Sequence, residues 1–258
     1  MALLHSLRSR RLWLGALSIA TVFGVYIWIT NQPDNNPALL PPILDILASF
    51  KTNLTSGSLL TALGASLFRI AMGFFIGTTL ALIVGCLVGW YKTVEYLLDP
   101  LIEALRPIPP LAYIPIIIIW FGIGEFSRVL IITIACFMVC VVNVIAGMKN
   151  VPQVYVDAAS TMGASRFQVF RTVAVPAATP FIITGYRIAL AAAWTTLVAS
   201  ELLAAQNGLG FLLQEGRGYF LTDQVMMIIV IIGGCAFIMD RIFRKIQAHL
   251  MQWSEARE

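Results

Sequence analysis

Charge is what this sequence has least of. Asp, Glu, Lys and Arg make up 12% of its 258 residues, against about 25% in an average soluble domain. So little charge cannot clothe a water-facing surface, and 59% apolar residues are more than a globule of this length can hide. A soluble domain is excluded, and no nucleic-acid partner is expected. Histidine is nearly absent: His5 and His249 sit at opposite ends, too isolated to form a metal pair. The four cysteines (Cys86, Cys136, Cys140, Cys235) all fall inside apolar runs, where they read as small packing residues. No metal site or disulfide framework is expected. Also missing are a P-loop, a metal-binding helix motif, and a serine or cysteine nucleophile with a nearby base. The chain is therefore not expected to be an enzyme, to bind a cofactor, or to hydrolyse ATP by itself.

What is present is hydrocarbon. A bilayer core needs about 20 apolar residues per helical crossing, and six runs qualify, at about 12–30, 63–91, 97–122, 129–148, 177–203 and 225–243. The expected fold is an all-α, multi-pass membrane protein with six transmembrane helices, a single transmembrane domain over 12–250. Lys and Arg orient it. With the amino terminus inside, cytoplasmic segments hold 11 of the 17 basic residues, outer segments hold Lys51, Arg128 and Arg217, and Arg69, Arg106 and Arg187 lie within spans. Both termini, 1–11 and 251–258, are placed in the cytoplasm. The first run is long for a signal core and lacks a small-x-small cleavage site, so it reads as a retained anchor. Between the first two spans an outer segment, 31–58, carries apolar residues at 43, 44, 47 and 50, one face of a short interfacial helix.

Charges inside the spans demand partners. Glu103 and Arg106 are one helical turn apart and can pair with each other. Arg187 and Glu201 are 14 residues apart, roughly 21 Å along a helix, so neither can satisfy the other. The topology puts Glu201 and Arg69 in the same outer half, as candidates for one another. Four prolines between 107 and 115 forbid a regular backbone ladder in the third span, and freed carbonyls at that depth must face protein or a water-filled path. With Trp120 and Trp194, these residues are candidates either for a translocation path or for intramembrane charge pairs that only pack.

One polar stretch interrupts the apolar pattern: DAASTMGASRFQVFRTVAVPAATP, residues 157–180. Its order predicts a helix, a glycine-assisted turn and a helix started by proline. Asp157-Ala158-Ala159, three residues, Gly163-Ala164-Ser165, then Phe170 and Val175-Pro176 resemble the EAA loop of bacterial ABC importer permeases, with Asp for Glu and Val-Pro for Leu-Pro. Segments 106–112, 120–125, 185–189 and 204–210 are similar to the nitrate, sulfonate, taurine and bicarbonate branch of that family. The resemblance implies a type I importer permease in the bacterial inner membrane. Its loop, 149–175, would form a cytoplasmic coupling helix seated in an ATPase. Two permease copies, a cytoplasmic ATPase dimer using ATP and Mg, and an external substrate-binding protein would complete the assembly. Arg166 and Arg171 could meet an acidic partner surface. A small anion is the implied cargo, although the branch also contains importers of aromatic acids and vitamin-like compounds. Two rivals are an ion-coupled secondary transporter, which would need intramembrane acids and usually inverted repeats, and an ATP-independent scaffold, which would not need the loop.

Overall fold

A chain facing hydrocarbon must satisfy its backbone N–H and C=O groups within each segment, and helices do so. The computed structural model describes residues 2–204 and 206–251, and among them all regular structure is helical. In order these are α1 (Ala2–Thr30), α2 (Ile43–Thr55), α3 (Ser58–Trp90), α4 (Lys92–Leu105), a tight turn at Pro110–Tyr113 leading into α5 (Ile114–Phe121), α6 (Glu125–Lys149), α7 (Gln153–Thr161), α8 (Arg166–Val169), a π-helical turn (Phe170–Ala174), α9 (Val175–Ala204), α10 (Leu209–Gly218) and α11 (Thr222–Leu250). The tail expected at 252–258 lies outside the described residues.

Among the described residues four stretches are long and apolar enough to cross a bilayer: Ser58–Trp90, Glu125–Lys149, Arg166–Leu203 and Thr222–His249. The pair Lys92–Leu105 and Pro110–Phe121 makes a fifth if taken together, yet its halves are bent by 88°. The expected third span is therefore a broken one, because prolines at 107, 109 and 110 remove three donors within four residues at the corner. The first apolar run is helical as α1, with Ala20–Thr30 as its shorter apolar part. Six crossings would require counting both that helix and the bent pair.

The chain divides into two compact units, Met1–Leu59 with Leu212–Val230, and Leu60–Phe211 with Ile231–Glu258. In the smaller unit, polar side chains hold the segment after α1: Tyr26 Oη donates to the Pro41 carbonyl at 2.6 Å, and Asn35 Nδ2 to the carbonyls of Thr30 and Leu40 at 3.2 and 3.0 Å. Beyond it α2 exposes Leu44, Leu47 and Phe50 while burying Ser49.

The larger unit is organised around α6. Ile132, Ala135, Cys136, Cys140, Val141 and Val144 have no accessible surface, and since they lie on several faces, α6 is enclosed. Four glycines of α3, at 73, 77, 85 and 89, run along one side of it. A methyl group on Gly73 would lie 2.6 Å from Ile132 Cγ2, one on Gly77 2.6 Å from the Thr133 carbonyl, and one on Gly85 2.7 Å from Val144. Without a hydrophobic drive between helices in lipid, such close backbone approach supplies the dispersion contact. On the other side α9 approaches α6, with Gly185 against Asn143 and Cys136 Sγ 3.5 Å from the Ala189 carbonyl. Large side chains such as Phe75 and Ile83 of α3 face outward, where the solvent is lipid.

Candidate functional site

The loop between α6 and α9 is built by local rules. Helix α7 ends in a Schellman motif: Gly163 takes φ +84°, its N–H reaches the Ser160 carbonyl at 3.0 Å, and the Ala164 N–H reaches the Ala159 carbonyl at 3.1 Å. Two residues on, Ser165 starts α8 with a capping box. Its N–H donates to Gln168 Oε1 at 2.7 Å and its Oγ accepts from the Gln168 N–H at 3.3 Å. The expected helix and glycine turn are present, but the proline does not start the next helix. The chain is helical again from Arg166, ten residues before Pro176. Because Pro176 has no N–H to return to the carbonyl four residues earlier, the ladder widens into the π turn at Phe170–Ala174 just ahead of it. Asp157, Ala158, Gly163, Ser165, Arg166 and Pro176 are exposed, and Ala159, Ala164 and Phe170 half-buried. The sequence reading missed an apolar rim on the same loop: Val154, Tyr155, Met162 and Phe167 are also exposed, Met162 at 88%.

This loop is fastened to the corner between α3 and α4. The Phe170 ring lies 5.8 Å from Trp90 and 6.2 Å from Tyr91, and the Phe167 ring 6.3 Å from Phe170. The Arg166 guanidinium lies 5.5 Å above the Tyr91 ring, a cation–π contact. Beside this clasp a groove of about 590 Å³ runs past Trp90, Lys92, Glu95, Lys149, Gln153 and Arg166. Across it Lys149 pairs with Glu95 at 2.8 Å and Asp99 at 3.6 Å, tying α6 to α4.

At the opposite end of α3, α6 and α9 lies a charge cluster, buried at Arg69 and Glu201 and open at Glu125, whose side chain is 52% exposed. Arg69 has no accessible surface, and all five of its N–H donors find acceptors. Nε and Nη2 grip Glu125 at 2.7 and 2.6 Å, Nη1 meets Glu201 at 2.5 Å and the Asn207 carbonyl at 2.9 Å, and Nη2 also donates to Asn207 Oδ1. Glu201, 1% exposed, also accepts from Ser66 Oγ at 2.8 Å and from the Gly210 N–H at 2.8 Å. That backbone donor belongs to the first turn of α10, whose positive dipole end favours a carboxylate. Gly208, at φ +117°, lets the chain pass: a methyl there would lie 2.6 Å from Arg69 Nη1. Arg69 and Glu201 meet as partners, whereas Glu125, Ser66 and Asn207 were missed. Of these only Glu125, next to the Gly122–Gly124 break and one turn before Arg128, carried a hint.

The remaining candidates are scattered. Glu103 and Arg106 face each other at 3.9 Å on the surface. Trp120 is 69% exposed and packs edge-on to Phe121, while Trp194 is buried. Arg187 Nε donates to Asp240 Oδ1 at 2.9 Å, and Asp240 Oδ2 accepts from Arg244 Nη2 at 2.7 Å. Asp240 and Arg244 were not anticipated, since α9 and α11 are brought together only by the fold. Among the described residues no three His, Cys, Asp or Glu side chains come together to hold a metal.

Residues 73–252 match the family of binding-protein-dependent transport system inner membrane components. The taurine transport system permease protein TauC of Escherichia coli is 39% identical over 95% of this chain and 91% of its own length. The putative aliphatic sulfonates transport permease protein SsuC of Bacillus subtilis is 31% identical over 97% and 91%. An inward-facing structure of the MetNI methionine ABC transporter shares the fold, with a TM-score of 0.57 at 21% identity, covering 72% of this chain and 95% of that one.

Proposed function

This chain belongs to the inner-membrane components of binding-protein-dependent transport systems, and on that premise we propose how it is driven and what it carries. It is the permease component of an ABC importer, a family in which a separate ATPase uses ATP and a binding protein delivers the substrate. Residues 157–176 are the ATPase coupling element, on the cytoplasmic side. The observation that carries this is the loop itself: a capped, exposed hairpin of α7 and α8 with an apolar rim, clasped at Phe170 to the α3–α4 corner. Rim residues Val154, Met162 and Phe167 suit a protein groove, while Asp157, Ala158 and Ala159 keep the helix slim. A push on the loop reaches α3 and α4 through the aromatic rings, and α9 directly through the π turn, a way to rock spans between two packed arrangements.

Two copies of the chain form the path, six spans each, with both termini inside and α2 lying on the outer membrane surface. Arg69, Glu125 and Glu201 fasten the outer ends of three spans. Arg69 and Glu201 are spent on each other, on Glu125 and on Ser66, Asn207 and the Gly210 N–H, so they hold structure rather than cargo. The cargo is a small sulfonate, taurine-like in size, with other small oxyanions as the wider class. The test is purification of the chain with its ATPase in proteoliposomes. Hydrolysis stimulated by the binding protein, with uptake of labelled taurine or an alkanesulfonate, is the expected outcome. A chain that carries no ATPase through purification would overturn the coupling role.

A further inference from the structure

Of the arginines placed within spans, Arg69 is saturated and Arg106 lies on the exposed corner. Arg187 differs from both. It is 14 residues before Glu201 on α9, roughly 21 Å along the helix, and Asp240 is 18 residues into α11, roughly 27 Å, in a hydrocarbon layer of about 30 Å. Both helices are long and apolar enough to cross. At this depth two guanidinium groups share one carboxylate: Arg187 takes Oδ1 and Arg244 takes Oδ2. The cluster is one positive charge in excess. Arg187 spends only Nε, leaving both terminal nitrogens without a protein acceptor among the described residues, and its side chain is 43% exposed. Arg244 Nε is buried and has no acceptor among the described residues.

An unspent guanidinium at such depth must face water, a lipid headgroup or an anion. The surrounding face of α9 decides between lipid and water. Thr184, Arg187, Ala191 and Thr195 recur at three- and four-residue spacing and are all exposed, with Phe181 and Ile188 exposed along one edge of the same face. The lipid side of α3 instead presents Phe68, Phe75 and Ile83. A stripe of threonine, arginine and alanine along one side of an apolar helix suits a wet path.

We infer that Arg187 and Arg244, braced by Asp240, form a transit subsite for a small monovalent oxyanion on the inner part of the permeation path. This rests on the permease reading. Asp240 orients the two planar forks and cancels one charge, so the site attracts a monoanion without trapping it, as a site that must also release requires. The unspent terminal nitrogens are disposed to take carboxylate or sulfonate oxygens two at a time.

The experiment uses the chain purified with its ATPase in phosphatidylcholine nanodiscs. Phenylglyoxal labels arginines reachable from water, and peptide mass spectrometry reads each site. Methanesulfonate, against choline chloride of equal ionic strength, should slow labelling of Arg187 and Arg244 by about tenfold, the change expected when an anion occupies most of the site. Arg69 should stay unlabelled in both. In Arg187→Gln, methanesulfonate should no longer protect Arg244, and Arg187→Lys should keep partial protection. Retained ATPase in the preparation checks that each variant is folded. An unreactive Arg187 overturns the inference, as does a labelling rate that ignores methanesulfonate but falls when phosphatidylglycerol is added, which would assign the site to a lipid headgroup. Loss of the ATPase from the unmodified chain would instead strike the permease reading, leaving the labelling result to be read on its own.

Discussion

Single residues carry distinct physical burdens here. Gly163 has open space around it, so a side chain would clash with nothing; what forbids one is φ +84°. A left-handed conformation costs an L-residue about 1–2 kcal/mol, and a β-branched one more. Gly163→Val should therefore unwind the turn between α7 and α8 and cut uptake several-fold, whereas Gly163→Asn, tolerant of that region, should keep most of it. Transport assays beside ATPase co-purification check both. Arg69 is the opposite case. Removing one member of a buried pair leaves a charge uncompensated, at about 3–5 kcal/mol. Arg69→Ala and Glu201→Ala should each lower the thermal stability and yield of the purified protein before any transport defect can be separated, as a melting assay in detergent would read. The pairing of Arg69 with Glu201 could be read from topology alone, because the span count puts both at one end. Glu125 and Asn207 could not, since both fall outside the expected spans, in connections where a polar group needs no buried partner, and only the fold brings them to Arg69.

At the scale of elements, the loop was the most legible part and its joint the least. Gly163, Ser165 and the run of small residues state the turn and the cap by local chemistry. Nothing local says that Phe170 will meet Trp90 and Tyr91. If that clasp transmits motion, Tyr91→Leu and Phe170→Leu should leave the ATPase bound yet reduce uptake several-fold, with hydrolysis less responsive to the binding protein. Tyr91→Phe, which keeps the ring under Arg166, should stay near the unmodified level. The third apolar run is long enough for a span that its prolines must disturb, and it is bent by 88°. The π turn before Pro176 shows the same principle: a missing N–H is absorbed by widening the ladder rather than by ending the helix. The α3 glycines are the seam that α6 needs, so Gly77→Leu should prevent that pair from closing and lower the yield of folded protein in membranes.

For the whole molecule, composition dictated the class and the Lys and Arg bias dictated an orientation that can be tested. Single cysteines placed at 40 and at 160, with the four native cysteines replaced by serine or alanine, should be labelled by an impermeant maleimide from opposite sides of the membrane. Labelling of both from one side would reverse the proposed topology. The two compact units divide α10 and α11 between them, so the segment after Glu201 belongs partly with the charge cluster and partly with the N-terminal helices.

By itself the sequence determined that this chain lives in a membrane, that its helices must be long, and that a short polar loop interrupts them, because burial, backbone satisfaction and turn chemistry act on neighbouring residues. Tertiary structure alone decided which charges are spent and which remain. Arg69 and Arg187 look alike in sequence, each a lone cation in an apolar run. One is enclosed by five acceptors brought in from α6, α9 and the loop before α10, and the other is left half-exposed on one shared carboxylate. The difference arises because a guanidinium's partners come from distant segments, and no local pattern encodes their arrival.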